Sequence, residues 1–362
     1  MYDYVLIIHP TNDELLHKYE PGMKHKSKPL VRKLLEWMSP FKAAEVEGLN
    51  SPLGRTAKGA LVMCPLLLEQ MVSLSPTKVM NSVIQTLKFA QSLNPKLIGL
   101  TAYAAFSGNK GLDLTKIVNL PLTNGANYTL AMVPEAILRA ADMMEIDLND
   151  TYILLVGATS SVGKYCLEIL THFVSGIFIT AHNRDKLNIL LAEFPKEKRN
   201  KLHLARDINS ILDKTKIVII ASNRIPPELE ISKLKPGTVI FDASYPRHVP
   251  ANVRDDILVI DGVSIRPPPG EVNFNFDFGL PEGLCYPCMA EPMILALDRK
   301  FENYSLGKDS DATKIREIIR LGGKHGFEIA TLTSHERVIP DEEISKISHA
   351  ARKKRKKGFL WR

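Results

Sequence analysis

The chain has 362 residues, enough for two domains, and its 45% apolar and 24% charged content is that of an ordinary globular protein. Four scattered cysteines exclude a disulfide framework, and the chain start shows no signal peptide, so reduced thiols in a cytoplasmic protein are expected. The formal net charge of +7 sits in the last eleven residues, which hold seven basic groups and no acidic one; the neutral remainder excludes a general nucleic-acid-binding surface.

An apolar run at 4–8 reads as a strand, far short of the ~18 apolar residues of a membrane span. A second strand is expected at 96–101, with amphipathic helical spacing at 30–37 and 77–90. Residues 107–111 read as a loop. Pro134 opens a helix over 134–144, at its first turn, where a missing N–H costs nothing. Strand–helix alternation follows, with strands at 151–156, 176–180, 217–221, 239–242 and 258–261 and a helix at 162–173. Short apolar strands in βα units imply a parallel sheet covered on both faces. Beyond the run Arg266-Pro267-Pro268-Pro269-Gly270, helices are expected at 290–301 and 311–325. The division read from this pattern is an α/β lobe at 1–135, a parallel-sheet domain at 136–270, a helical segment at 271–340 and a basic tail at 341–362.

Gly157-Ala158-Thr159-Ser160-Ser161-Val162-Gly163 follows a strand and opens a helix. Gly157 permits a tight turn beneath a phosphate, and Gly163 lets the helix pack close to the strand. The intervening N–H groups and the helix dipole face a pyrophosphate. This is the phosphate turn of a Rossmann-like NAD(P)-binding domain, with Ser160 in place of the middle glycine. An NAD-type site ends its second strand with an acidic residue; here the strand leads into His182, Asn183, Arg184, Asp185 and Lys186. Asn183, Arg184 and Lys186 favour a 2′-phosphate, hence NADPH, with Asp185 read as a helix cap. Ala221, Ser222 and Asn223, and Ala243 to Pro246 with Tyr245, follow later strands and are expected beside the nicotinamide.

Cys285 and Cys288 form one C-x-x-C, without the further ligands a zinc site requires, so no metal is expected. Pro287 fixes a helix entry and leaves Cys288 in the first turn, where the dipole favours a thiolate nucleophile. Cys64 and Cys166 lie in apolar runs and read as buried small hydrophobes. Glu291, one turn after the thiol, reads as a positioning or capping residue.

These residues carry a resemblance to the cyanobacterial long-chain acyl-[acyl-carrier-protein] reductases. The family's Cys-x-Ala-Glu-Ala is matched by Cys288-Met289-Ala290-Glu291-Pro292, its Asn-Phe-Ser-Trp-Gly-Arg by Asn303 to Lys308, and its Lys-His-Gly-Phe by Lys324 to Phe327. Gly157 to Gly163 matches its glycine turn, Ala181 to Leu187 its basic segment, and Thr123 to Thr129 its Thr-Thr-Gly-Asn-Thr-His-Thr. The resemblance runs from about residue 4 to 335 and leaves the tail outside. Ser160, His182, Pro292 and the Gly125–Tyr128 stretch depart from the family pattern.

The resemblance implies that Cys288 carries the acyl group as a thioester and that NADPH reduces it to a fatty aldehyde. His325 is a candidate acid for the leaving thiolate, and Ser222, Asn223, Tyr245 and nearby backbone N–H groups are candidate oxyanion donors. An acyl carrier protein is the expected partner, coenzyme A remaining open, and the basic tail suggests peripheral membrane contact. The alternative is a shikimate- or quinate-type dehydrogenase acting on a small alcohol or hydroxy acid. It requires a Lys–Asp pair in the first lobe; Lys58, Lys110 and Asp113 are present, but not in that family's Asn-x-Thr-x-Pro-x-Lys context.

Overall fold

The computed structural model describes residues 1–222, 229–244, 247–269, 272–307, 311–335 and 337–360, the side chains of 357–360 excepted. The chain forms two compact units, one from Met1–Thr129 with Ser264–Ala330, the other from Leu130–Val263 with Thr331–Arg362. Residues 271–340 are therefore not a segment of their own. The physical reason is helix Pro287–Leu297, apolar all round and buried from Met289 to Leu297. A helix of that composition requires cover on every face, and the first unit supplies it.

The first unit is built on β1 (Tyr4–Ile8), β2 (Phe41–Val46), β3 (Gly59–Met63), β4 (Ile98–Leu100) and β5 (Leu122–Thr123), in the order β2-β3-β1-β4-β5. β1, β3, β4 and β5 run parallel, and β2 pairs antiparallel with β3 at the edge. β1 and β3 are buried at every position, as continuous apolar runs in the middle of a doubly covered sheet should be. Helix Pro76–Ser92 covers one face with Val79, Val83, Leu87 and Ala90. Helix Pro287–Leu297 packs against β1 and β4. Its contact with β4 is close: a Cβ built on Gly99 would lie 2.7 Å from Pro292 Cγ.

The second unit carries β6 (Tyr152–Val156), β7 (Gly176–Thr180), β8 (Leu202–Leu204), β9 (Ile217–Ile220), β10 (Val239–Asp242) and β11 (Leu258–Ile260). All six are parallel, in the order β11-β10-β9-β6-β7-β8. Counted from β6, this is the doubly wound order of a Rossmann fold, with its switch point between β6 and β9. The chain is thus an α/β protein with a Rossmann-like parallel sheet and an α/β unit formed largely by the residues before it. A small third sheet has the order β12 (Gly262–Arg266), β13 (Glu328–Ser334), β14 (Arg337–Val338).

Two expectations fail locally. The helix expected to open at Pro134 begins at Ala126, so Pro134 lies inside it. The early start is held from outside the segment, because Tyr128 N–H donates to the Glu291 carboxylate. The basic tail is not a bare tail. Asp341–Leu360 is a helix, and Ile344, Ser348 and Ala351 bury one stripe of it within the second unit. Arg352 pairs with Glu145, and Lys354 pairs with Asp255 and Asp256. The side chains of Phe359, Leu360 and Trp361, at the end of that tail, lie outside the described residues. Among the described residues no helix is long and apolar enough to cross a membrane.

Candidate active site

The glycine turn has the shape its sequence implies. Gly157 adopts φ +92°, and a Cβ on it would fall 2.8 Å from the Ala221 carbonyl oxygen and 3.0 Å from Ser222 Cβ. Ala221 and Ser222 are thereby brought against the turn. A Cβ on Gly163 would lie 2.4 Å from the Gly157 carbonyl oxygen, so helix Ser161–Leu170 meets the strand end at backbone contact. Ser160 caps that helix: its hydroxyl accepts from Gly163 N–H at 2.9 Å.

Not every amide of the turn faces outward. Gly157 and Ala158 N–H both donate to Thr180 O, at 2.9 and 3.0 Å, and tie the turn to the end of β7. The amides of Thr159 and Val162 carry no partner among the described residues, and these fit a pyrophosphate at the helix start. A turn this tight, with those two amides open at the helix start, fits a dinucleotide.

At the end of β7, Asn183 caps helix Arg184–Glu193 by accepting from Lys186 N–H at 2.9 Å. Asp185, expected as the cap, sits instead in the first turn. Asn183, Arg184 and Lys186 are all exposed, so two cations stand at a helix start beside the second strand. Asn223 and Tyr245 lie outside the described residues.

The thiol site lies within the first unit. Cys288 is half-buried in the first turn of helix Pro287–Leu297, while Cys64, Cys166 and Cys285 are buried. Gly125, at φ +71°, lies flat against it: a Cβ there would come within 2.4 Å of Cys288 Cα and 2.5 Å of its carbonyl oxygen. The Ala102, Cys288 and Met289 amides beside the sulfur favour the thiolate. Burial and the nearby Glu291 carboxylate oppose them, and burial prevails, so the thiol lies above its ordinary range. The helix start is thus a weaker activator than the sequence suggests. Burial also pushes the Cys285 thiol far up, which leaves Cys288 the reactive member of the pair.

Glu291 is fully buried one turn after the thiol. Its carboxylate accepts from Thr123 Oγ1 and from Tyr128 N–H at 2.9 Å, and the Ser305 hydroxyl and Gly125 N–H also favour its charge. It therefore ties the cysteine helix to the 123–128 turn and caps helix Ala126–Met143. Burial is still the larger influence and pushes this carboxyl up.

His325 does not serve the thiol. It is fully buried, with Nδ1 2.9 Å from Ser51 Oγ and Nε2 3.1 Å from Asp298 Oδ1. Neither of its ring contacts is with Cys288, so nothing among the described residues brings it to the thiol as the expected acid, and burial disfavours its protonated form. Asp298 also pairs with Arg55 and Lys324, so the histidine belongs to a structural polar cluster.

Sequence reasoning missed His9. It follows β1, is buried, donates from Nδ1 to Pro10 O at 3.1 Å and accepts Tyr103 N–H on Nε2 at 3.0 Å. Burial depresses it to about 4, so it stays neutral. The available signal was its place at the C-terminal end of a central parallel strand, where sites of such sheets gather.

No family model matches the chain. It is 25% identical to the aminotransferase PigE of a Serratia species over 305 residues, 82% of this chain and 35% of that protein. It is 26% identical to the long-chain acyl-[acyl-carrier-protein] reductase of Synechococcus elongatus over 218 residues, 57% of this chain and 61% of that one. The chain thus spans less than two thirds of either relative's length. Among solved structures, the shikimate dehydrogenase of Aquifex aeolicus aligns over 88% of this chain and 98% of its own at 11% identity, with a TM-score of 0.38.

Proposed function

We propose that this chain reduces a long-chain acyl thioester to an aldehyde, with NADPH as reductant and Cys288 as the nucleophile. The observation that carries the reading is the Cys288 thiol in the first turn of a buried helix, with Gly125 against its backbone and amides beside its sulfur. The similarity to a long-chain acyl-[acyl-carrier-protein] reductase supports the substrate class. An aldehyde is also a group that an aminotransferase accepts, which agrees with the name of the other relative.

Because Cys288 is held protonated, its proton must leave as the sulfur attacks the thioester carbonyl. The new S–C bond forms, the carrier's thiol departs, and the proton lost by Cys288 ends on that departing sulfur. Gly157 to Gly163 would hold the pyrophosphate, and Asn183, Arg184 and Lys186 the 2′-phosphate. When bound, NADPH supplies the hydride that takes the acyl group to the aldehyde level. Glu291 keeps the thiol turn in register with Gly125. The carrier is read as an acidic acyl carrier protein, met by the outward basic stripe of helix Asp341–Leu360.

The test is NADPH consumption with palmitoyl thioester and with Cys288→Ser, set against NADP⁺ reduction by shikimate or quinate. Thioester-dependent oxidation lost in Cys288→Ser supports the reading. Hydroxy-acid oxidation that survives Cys288→Ser would replace it with a dehydrogenase.

A further inference from the structure

Residues 21–35 hold five Lys or Arg and no acidic residue, in a chain that is neutral apart from its last eleven residues. The first unit fixes this segment at both ends and leaves its middle in water. Met23 on one side and Val31 and Leu35 on the other are buried in one cluster with Leu16 and Leu67. Between them every residue from Lys24 to Leu30 is exposed. The cations of this turn are thus presented from a fixed base.

The acids near them are engaged with other residues. Asp13 binds Arg32 and pairs with Lys28 at 3.4 Å, Glu69 takes a second nitrogen of Arg32, and Glu36 pairs with Lys78 at 3.1 Å. Lys24, Lys26 and Lys33 form no ion pair among the described residues. Helix Lys28–Trp37 adds apolar groups on the same side of the chain as water. At about 100° per residue, its buried Val31 and Leu35 leave Leu30, Lys33 and Trp37 on the opposite stripe. Leu30 is 47% exposed and Trp37 74%. They stand two turns apart, ~10 Å along the axis, with Lys33 between them, so one flat surface can meet all three.

A lone exposed apolar residue calls for no explanation, but Trp and Leu on one helical stripe among unpaired lysines are the pattern of a helix at a lipid boundary. An indole ring settles at headgroup level, and lysine stems lie along apolar groups while their ammonium ends reach lipid phosphates. We infer that Lys24, Lys26, Leu30, Lys33 and Trp37 form a docking surface for an anionic lipid bilayer, with Leu30 and Trp37 entering the headgroup region. The inference goes beyond the proposed reaction, and binding of vesicles without substrate does not depend on it. A long-chain thioester and its aldehyde partition into bilayers, which gives the surface its use.

The test uses the full chain without substrate. Trp361→Phe leaves Trp37 as the only tryptophan. Its emission is followed during titration with vesicles of phosphatidylcholine and phosphatidylglycerol in equal parts, and with phosphatidylcholine alone. A blue shift and quenching by brominated lipid are expected with the anionic vesicles only. In cosedimentation, Lys24→Gln with Lys26→Gln and Lys33→Gln should lower partitioning by ~10²-fold, and Trp37→Ala by ~10-fold. All four side chains are exposed, so these variants keep the fold. Equal binding to both vesicle types, or bound protein with unshifted Trp37 emission, would overturn the inference. So would binding that survives the triple lysine variant but is lost in Lys346→Glu with Lys353→Glu, since helix Asp341–Leu360 would then dock. Without vesicle binding, self-association abolished by Trp37→Ala would give the face to a second copy of the chain. Slower turnover of carrier-bound substrate in the lysine variant, again without vesicle binding, would give it to the carrier; either result refutes the bilayer. If Cys288 forms no acyl adduct while vesicle binding follows the expected pattern, the reaction fails and the docking surface stands.

Discussion

Gly125 lies so close to Cys288 that a Cβ added to the glycine would sit 2.4 Å from the cysteine Cα. The two residues are far apart in sequence, and Glu291 clamps their contact from behind by binding the Tyr128 amide and the Thr123 hydroxyl. Gly125→Ala therefore meets backbone on both counts, a clash and an unfavourable φ of +71°. Overpacking and left-handed strain together should cost about 2–4 kcal/mol of stability and displace the thiol. Thermal melting and Cys288 alkylation would report both effects, and an alanine variant with unchanged alkylation would show that the contact does not position the thiol.

The depressed His9 gives a pH dependence with a definite sign. Its folded value of about 4 lies below the ordinary 6.5, so the folded state binds its proton more weakly than the unfolded chain does. The stability it contributes is present above 6.5 and is lost as pH falls toward 4 and below. The loss is ~3 kcal/mol over that window by linkage, and His9→Gln should flatten the slope. Denaturant melts of both proteins across the window decide it; parallel profiles would exclude His9 as the titrating group.

The parallel sheet of the second unit was legible because its strands are local apolar runs and its turn is marked by two glycines. The thiol was legible because Pro287 marks a helix start. What the sequence hid was contact between distant segments. The start of helix Ala126–Met143 is fixed by Glu291, so Pro134 misled. His325 has the look of an acid, but its partners Ser51 and Asp298 come from elsewhere in the chain. The basic run concealed a helix because the buried positions Ile344, Ser348 and Ala351 all precede it.

Arg184 and Lys186 stand exposed at a helix start beyond β7, as a 2′-phosphate would require. Arg184→Ala should weaken NADPH binding by about 1.5–3 kcal/mol, the scale of a charge-assisted hydrogen bond, and leave NADH almost unchanged. Titration of both cofactors would show it. Equal losses would mean that Arg184 does not read the phosphate.

Helix Asp341–Leu360 divides its cations by face. Arg352 and Lys354 hold it to the second unit, whereas Lys346, His349, Lys353 and Lys356 are exposed and form no ion pair among the described residues. Their spacing at the helical period places them on one stripe opposite Ile344, Ser348 and Ala351. Lys346→Glu with Lys353→Glu should slow turnover of carrier-protein-bound substrate by ~10-fold at low salt and spare palmitoyl-pantetheine. Equal slowing of both substrates would argue against a docking role, and lost binding to anionic vesicles with unchanged carrier turnover would favour the membrane.

In the proposed reaction Cys288 carries the acyl group. Intact-mass measurement after the chain is mixed with palmitoyl-pantetheine, without NADPH, tests it directly. One palmitoyl adduct is expected that maps to Cys288, is absent in Cys288→Ser and disappears with release of aldehyde when NADPH is added. No adduct on the parent chain, or an adduct of equal yield in Cys288→Ser, would contradict it.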